Sequence, residues 1–223
     1  MPLLHVIVAV SLAVLGIGSS SREEARPLFN GKDLGGWVAE GQAIRKGDLA
    51  TPVWTVEDGK LVCNGEGFGF LRYTCEEFGD FSLHVEFRMA TKCNSGLGIR
   101  TRAFDPTKSG PTRPSNYSYE IQLLDDAGMP PSKHSTGSLY RYVAPTANTI
   151  NPATEWNSMD VTCNGPRITI TLNGAEIVDI DQTTIDALKS KPLKGYVCLQ
   201  NHGGKIEFRE IRIREISSQL PKP

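Results

Sequence analysis

The sequence predicts an all-β fold, a sandwich or jelly roll of two antiparallel sheets, and three observations carry that expectation. Short segments alternate apolar and polar residues with a period of two, the pattern of strands buried on one face. Asp58-Gly59 and Asn173-Gly174 each stand between strand-like runs, where a two-residue hairpin needs left-handed backbone. The 22 glycines and 14 prolines are spread through the chain, which suits many turns between short strands better than long helices.

Taken in order, residues 1–20 carry an apolar run, "LLHVIVAVSLAVLGIGSS", closed by small residues. It has the size of a signal-peptide core and is somewhat short for a membrane span of about 20 residues. No Lys or Arg precedes it, and no cysteine follows directly for lipid attachment. The expectation is a cleaved export signal, a periplasmic or secreted product, and no membrane contact after its removal. A polar lead-in and a turn at Asn30-Gly31 open the domain, expected over residues 27–216, with 217–223 as a tail.

"WTVEDGKLVC" reads as a hairpin. "FSLHVEFRM" is the cleanest strand, with Phe81, Leu83, Val85 and Phe87 on one face and Ser82, His84, Glu86 and Arg88 on the other. "SGLGIRTR" sets Leu97 and Ile99 against Gly98 and Arg100, and "YEIQLL" sets Tyr119, Ile121 and Leu123 against Glu120 and Gln122. "TGSLYRYV" follows, then the hairpin "ITITLNGAEIVDI" and a strand in "GYVCLQNHGG" with Val197 and Leu199 inward. "TTIDALKSK" predicts about two helical turns. In "KIEFREIRIREI", Ile206 and Phe208 share one parity and Ile211 and Ile213 the other, so a β-bulge is expected near Arg209-Glu210.

A formal net charge of −1 gives no reason to expect nucleic acid or an acidic membrane surface as partner. Five cysteines, at 63, 75, 93, 163 and 198, show no C-x-x-C spacing, and isolated buried thiols are the default. There is no G-x-S-x-G elbow, H-E-x-x-H pair or P-loop. Long-stranded jelly rolls often curve, and the outward residues of neighbouring central strands then gather on a concave face. Those residues are His84, Glu86, Arg88, Arg100, Arg102, Glu120, Gln122, Ser138, Tyr140, Gln200 and His202. Their mixture of acids, amides, bases and a phenol suits a polyhydroxylated ligand. A sandwich carries polar outward residues whether or not anything binds, and Arg–Glu pairs across strands commonly stabilise a solvated face. Gly98, which removes a side chain in mid-strand, and the buried-leaning amides Gln122 and Gln200 favour a binding face. Glu86 and Glu120 could form a carboxylate pair, but the closely spaced acidic strand motif of jelly-roll glucanases is absent.

The segments "LFNGKDLGGW", "WTVEDGKLVC", "FGDFSLHVEFRM", "CNSGLGIRTR", "YEIQLLDD", "TGSLYRYVAP", "EWNSMDVTCNGPRITITLNG" and "CLQNHGGKIEFREIRI" stand in an order that resembles the 3-keto-disaccharide hydrolase family, also described as 3-keto-glucoside lyase/hydratase. The resemblance spans about residues 27–214. It implies a concanavalin-like jelly roll in an exported bacterial protein acting on oligosaccharides or glycosides oxidised at C3. A C3 ketone acidifies the C2 proton, so one base can form an enolate that expels the C1 oxygen, and water can then add back. Such a site needs a base, donors for the enolate oxygen and an acid for the leaving group. Strand parity and motif position nominate Glu120 as base with His202 second, Arg100 and Gln122 for the oxyanion, and Tyr140 or His134 as acid. Glu86 and Gln200 complete the expected substrate contacts. No cofactor is evident; a divalent metal assisting the enolate is compatible with this chemistry, although no clear ligand set stands in the sequence. A non-catalytic carbohydrate-binding jelly roll and a structural domain of the cell envelope are the rival readings.

Overall fold

A computed structural model of the chain describes residues 24–41 and 52–216, without the side chains of 109 and 111. The apolar run of 1–20 and the tail of 217–223 lie outside the described residues. Among the described residues, thirteen strands build two antiparallel sheets. The larger contains β1 (Arg26–Pro27), β3 (Trp54–Glu57), β4 (Lys60–Cys63), β6 (Phe81–Met89), β9 (Trp156–Asn164), β10 (Arg167–Leu172), β11 (Ala175–Asp181) and β13 (Ile206–Glu215). Its order is β11-β10-β9-β6-β13-β4-β3, with β1 also paired to β13. The smaller has β2 (Trp37–Gly41), β5 (Gly69–Tyr73), β7 (Asn94–Thr101), β8 (Tyr119–Leu124) and β12 (Tyr196–Asn201), in the order β2-β5-β12-β7-β8. Between the two strands of each nonconsecutive pair the chain passes through the other sheet, as in a jelly roll.

The inner faces of both sheets make one core, including Phe81, Leu83, Val85 and Phe87 from β6, Ile121 and Leu123 from β8, and Val197 and Leu199 from β12. The parities expected for these strands are therefore the ones observed. Both predicted hairpins form, with Asp58 and Gly59 at φ 48° and 74° and Asn173 and Gly174 at φ 49° and 82°. The bulge predicted in the last strand is present: pairing of β13 with β6 shifts between Arg209 and Arg212, and Glu210 has φ 51°. The helix expected over "TTIDALKSK" is instead a single 3-10 turn at Gln182–Thr184, capped by the Asp181 carboxylate, followed by turns. Five thiols are free, four of them buried and Cys75 exposed.

The two sheets differ in how their outer faces meet water. Strands β6, β9 and β10 alternate buried and half-buried residues, as expected of a face open to solvent. Strands β7, β8 and β12 are buried almost throughout, on both faces. What covers them is an excursion between β7 and β8, residues 102–118, with a 3-10 turn (Pro106–Lys108) and two short helices, α1 (Ser109–Thr112) and α2 (Pro114–Tyr117). Phe104 of this insert packs on Phe70 and with Cys198 forms a small apolar cluster separate from the main core. Its backbone N–H donates to Glu40, which also pairs with Arg72. The insert thus rests on β5 and β12 through Phe104 and on β7 and β8 through α2, and beside it only a narrow strip over β12, β7 and β8 is left.

Two expectations about the outward face are corrected. Glu86 lies on the outer face of the large sheet, paired with Arg209, because β6 belongs to that sheet and not to the one carrying Glu120. His84 and Arg88 share its fate, paired with Asp160 and Glu207. Arg100 is also elsewhere: β7 carries an extra residue against β12, Arg100 adopts φ 52°, and the bulge reverses the side chain's direction. It is fully buried and donates to the carbonyls of Gly79 and Gly165, so it ties loops together and touches no substrate strip. Arg100→Met is expected to lower unfolding free energy by about 3 kcal/mol, since both carbonyls lose a charged donor in the interior. Urea denaturation measures it, and a loss below about 1 kcal/mol would contradict this role.

Candidate functional site

The strip left open is a cleft between the insert on one side and residues 133–140 on the other. Residues 137–140 run antiparallel along β8: Tyr140 N–H donates to the Glu120 carbonyl and Gln122 N–H to that of Ser138. Registers then align side chains in rows across the strands. Cys198, Gly98, Glu120 and Tyr140 form one row, and Gln200, Gly96, Gln122 and Ser138 the next. Asn94, Arg113, Ser115, Glu120, Gln122, Tyr140, Gln200 and His202 line a pocket of about 20 Å³ at the bottom of the cleft. That volume admits about one water-sized group. Anything larger than that has room only over the floor, with a single substituent or edge entering it.

Glu120 sits at the centre, 5% exposed, and accepts a 2.9 Å hydrogen bond from the Gln200 amide. Burial pushes its carboxyl above the ordinary 4.5; the Gln200 amide, the nearby Ser115 hydroxyl and the charges of Arg113 and Arg141 pull the other way without cancelling that. Gln122 donates to the Asn94 side chain at 2.9 Å. The imidazole of His202, edge-on to Phe68, is held below 6.5 by burial and by the Arg113 charge, so it is neutral at neutral pH. The ring of His134 packs against Tyr140, with centroids 5.2 Å apart. Two further polar atoms lining the pocket, Arg113 Nε and Gln200 Oε1, are buried without a hydrogen-bond partner. Buried groups of this kind ordinarily have partners, so their convergence on one pocket leaves it with unused hydrogen-bonding capacity.

Of the residues nominated from sequence, the structure brings together Glu120, Gln122, Gln200, His202 and Tyr140, with His134 behind Tyr140. Glu86 and Arg100 are not among them. Arg113, Ser115 and Asn94 were missed: the first two stand in an irregular stretch with no period, and Asn94 at the very start of its strand. The space beside Gly98, expected to admit a ligand, is filled, because an added Cβ would lie 2.4 Å from the Cys198 sulfur. Gly96 is the glycine that serves the site. A Cβ there would lie 3.1 Å from Glu120 Cγ, so its absence lets the carboxylate lean across β7 toward Gln200. Among the described residues no three His, Cys, Asp or Glu side chains gather around one point that could hold a metal ion.

The fold and the site together define a two-sheet jelly roll with a buried carboxyl and unpartnered buried hydrogen-bonding groups in a cleft on its smaller sheet. The chain belongs to the 3-keto-α-glucoside-1,2-lyase-like domain family, which it matches over residues 24–214. It is 24% identical to a 3-keto-disaccharide hydrolase of Bacteroides thetaiotaomicron over 84% of this chain and 77% of that protein. Among solved structures it resembles a provisionally assigned glycosyl hydrolase of Parabacteroides distasonis, with a TM-score of 0.68 and 24% identity over 85% of this chain and 93% of that one. A Bacillus subtilis protein with a galectin-like fold gives a TM-score of 0.55 at 17% identity, covering 86% of this chain and 94% of that one.

The burial of Glu120 has a thermodynamic signature. A carboxyl whose folded pKa is raised favours the folded state fully below its unfolded value near 4.5, and that contribution is lost as pH rises through the folded pKa. Glu120→Gln removes the ionisation, so the variant is expected to melt above wild type at pH 7, with the difference vanishing near pH 4. A variant that melts below wild type at pH 7 would contradict the burial cost assigned to Glu120.

Proposed function

We propose that this protein cleaves the glycosidic bond of 3-keto-glycosides, by elimination followed by hydration. The observation that carries the reading is the buried Glu120 carboxyl in a cleft whose other groups are amides, a guanidinium, a phenol and a neutral imidazole. It explains how a glycoside-cleaving site can work without the second carboxylate of ordinary glycosidases. Family membership and the Bacteroides relative's name support the substrate class.

In this scheme the Glu120 carboxylate, made more basic by burial, takes the C2 proton next to the ketone. The electron pair moves to the C3 oxygen, where Arg113 Nε–H and the Ser115 hydroxyl donate to the developing enolate, in the role first expected of Arg100. Gln122, fixed by Asn94, and Gln200 orient the ring hydroxyls. As the enolate collapses, the C1–O bond breaks and the leaving oxygen takes a proton from Tyr140, whose ring His134 supports. Water then adds, its hydroxyl to C1 and its proton by way of the neutral His202 to C2, while the proton that Glu120 took passes to the Tyr140 phenolate, so that every group is restored and the sum is hydrolysis. We further propose export of the protein, on the strength of the apolar run within residues 1–20.

Purified protein incubated with a 3-oxidised disaccharide and with its unoxidised parent, followed by mass spectrometry, tests the proposal. Only the oxidised sugar is expected to be cleaved. Glu120→Gln is expected to slow cleavage by roughly 10²–10⁴-fold and Arg113→Met by about 10²-fold. Saturable binding of either sugar without turnover would replace catalysis with a binding role.

A further inference from the structure

The insert that supplies Arg113 and Ser115 has little regular structure of its own, and two helices of four residues each do not hold a shape unaided. Its inner side rests on Phe70 through Phe104 and on Gly98 of β7 through Pro114. Its far side is gripped from a different part of the chain. The Lys191 ammonium, in the loop between β11 and β12, donates at 2.8 Å to the carbonyl of Asn116. It is only 8% exposed and lies 4.8 Å from the Tyr142 ring centroid and 5.7 Å from that of Tyr119. The Tyr142 hydroxyl in turn donates to the carbonyl of Ser115, and Arg141 to the side chain of Asn116.

The loop bearing Lys191 is itself pinned. The Gln182 amide donates to the carbonyls of Leu188 and Lys191, and its oxygen accepts from the Tyr119 hydroxyl at 2.6 Å. Tyr119 neighbours Glu120 on β8. A continuous set of contacts therefore runs from the strand holding the carboxyl, through Gln182 and Lys191, to the helix holding Ser115. A lysine buried this deeply pays a desolvation cost, visible in a pKa lowered to about 8, and its position is unexplained by any carboxylate partner in the contacts it makes.

We infer that Lys191 is a positioning residue, which locks α2 so that Arg113 and Ser115 face Glu120. Its effect on turnover rests on the function proposed above; its grip on α2 does not. Misplacing a catalytic donor by about 1 Å can cost a hundredfold in rate. In full-length protein, Lys191→Met is expected to speed hydrogen exchange of the Tyr117 and Ser118 amides, which donate to Arg113 and Pro114, by at least about tenfold while β6 and β9 keep wild-type rates. Its kcat on a 3-oxidised disaccharide is expected to fall about 10- to 100-fold, with a smaller change in KM. Lys191→Arg, which keeps a donor and a cation over Tyr142, is expected to recover most of both.

Unchanged exchange at Tyr117 and Ser118 would overturn the inference, as would faster exchange spread evenly over the chain, which marks a merely structural lysine. Locally faster exchange with wild-type kcat would overturn the positioning role. If wild-type protein does not cleave the sugar, the proposed function falls, and the exchange of α2 still decides whether Lys191 holds it.

Discussion

The arrangement around the cleft depends on keeping one carboxyl group, that of Glu120, out of water with an amide as its hydrogen-bond partner. A charged group so placed resists ionisation, and nothing in the strand pairing requires it there. The surrounding features make that burial workable. Gly96 leaves space for the carboxylate to cross β7, Gln200 supplies a donor, and the insert closes the site from above with Arg113 and Ser115. The charges of Arg113 and Arg141 oppose the desolvation without forming a tight pair. A tight pair would stabilise the carboxylate and weaken it as a base; a distant charge keeps it reactive.

The two outer faces of the sandwich show the contrast. On the large sheet, acids and bases neutralise one another in cross-strand pairs: Glu86 with Arg209, Arg88 with Glu207, His84 with Asp160 and Arg167 with Asp179. Such pairs, near water, contribute little each, and they hold acids down rather than up: the Arg167 hydrogen bond keeps Asp179 below its ordinary value, and against burial Arg88 keeps Glu207 below its own. On the small sheet the insert excludes water, and polar atoms are left without partners. The same residue types thus make a solvated wall on one side and a cleft on the other. Coverage by a loop excursion, rather than composition, separates them.

Much of the fold was legible because strand parity and turn chemistry are local. Asp58-Gly59 and Asn173-Gly174 can only be hairpin turns of one hand, and the parity change between Phe208 and Ile211 demands an extra residue. The centre of the site was legible for the same reason: Glu120, Gln122 and Gln200 are polar residues on strands whose other face is apolar. The failures were of a different kind. Parity says that Glu86 points outward and cannot say from which sheet. Arg100 was misplaced by a bulge that no apolar residue downstream betrayed, since β7 ends one residue later. Arg113 and Ser115 gave no signal, because a segment held by tertiary contacts to Lys191, Tyr142 and Phe70 carries no period of its own.

The central claim is that Glu120 removes a proton from carbon, and isotope exchange at C2 tests it most directly. A 3-oxidised disaccharide is turned over in deuterated water, and the C2 position of the released keto sugar is read by proton NMR at early times, against an enzyme-free control for background exchange. Elimination and hydration at this site require deuterium at C2 of every product molecule, and Glu120→Gln should show neither cleavage nor exchange. Rapid cleavage with the original hydrogen kept at C2 would contradict the account and place the chemistry at C1 alone.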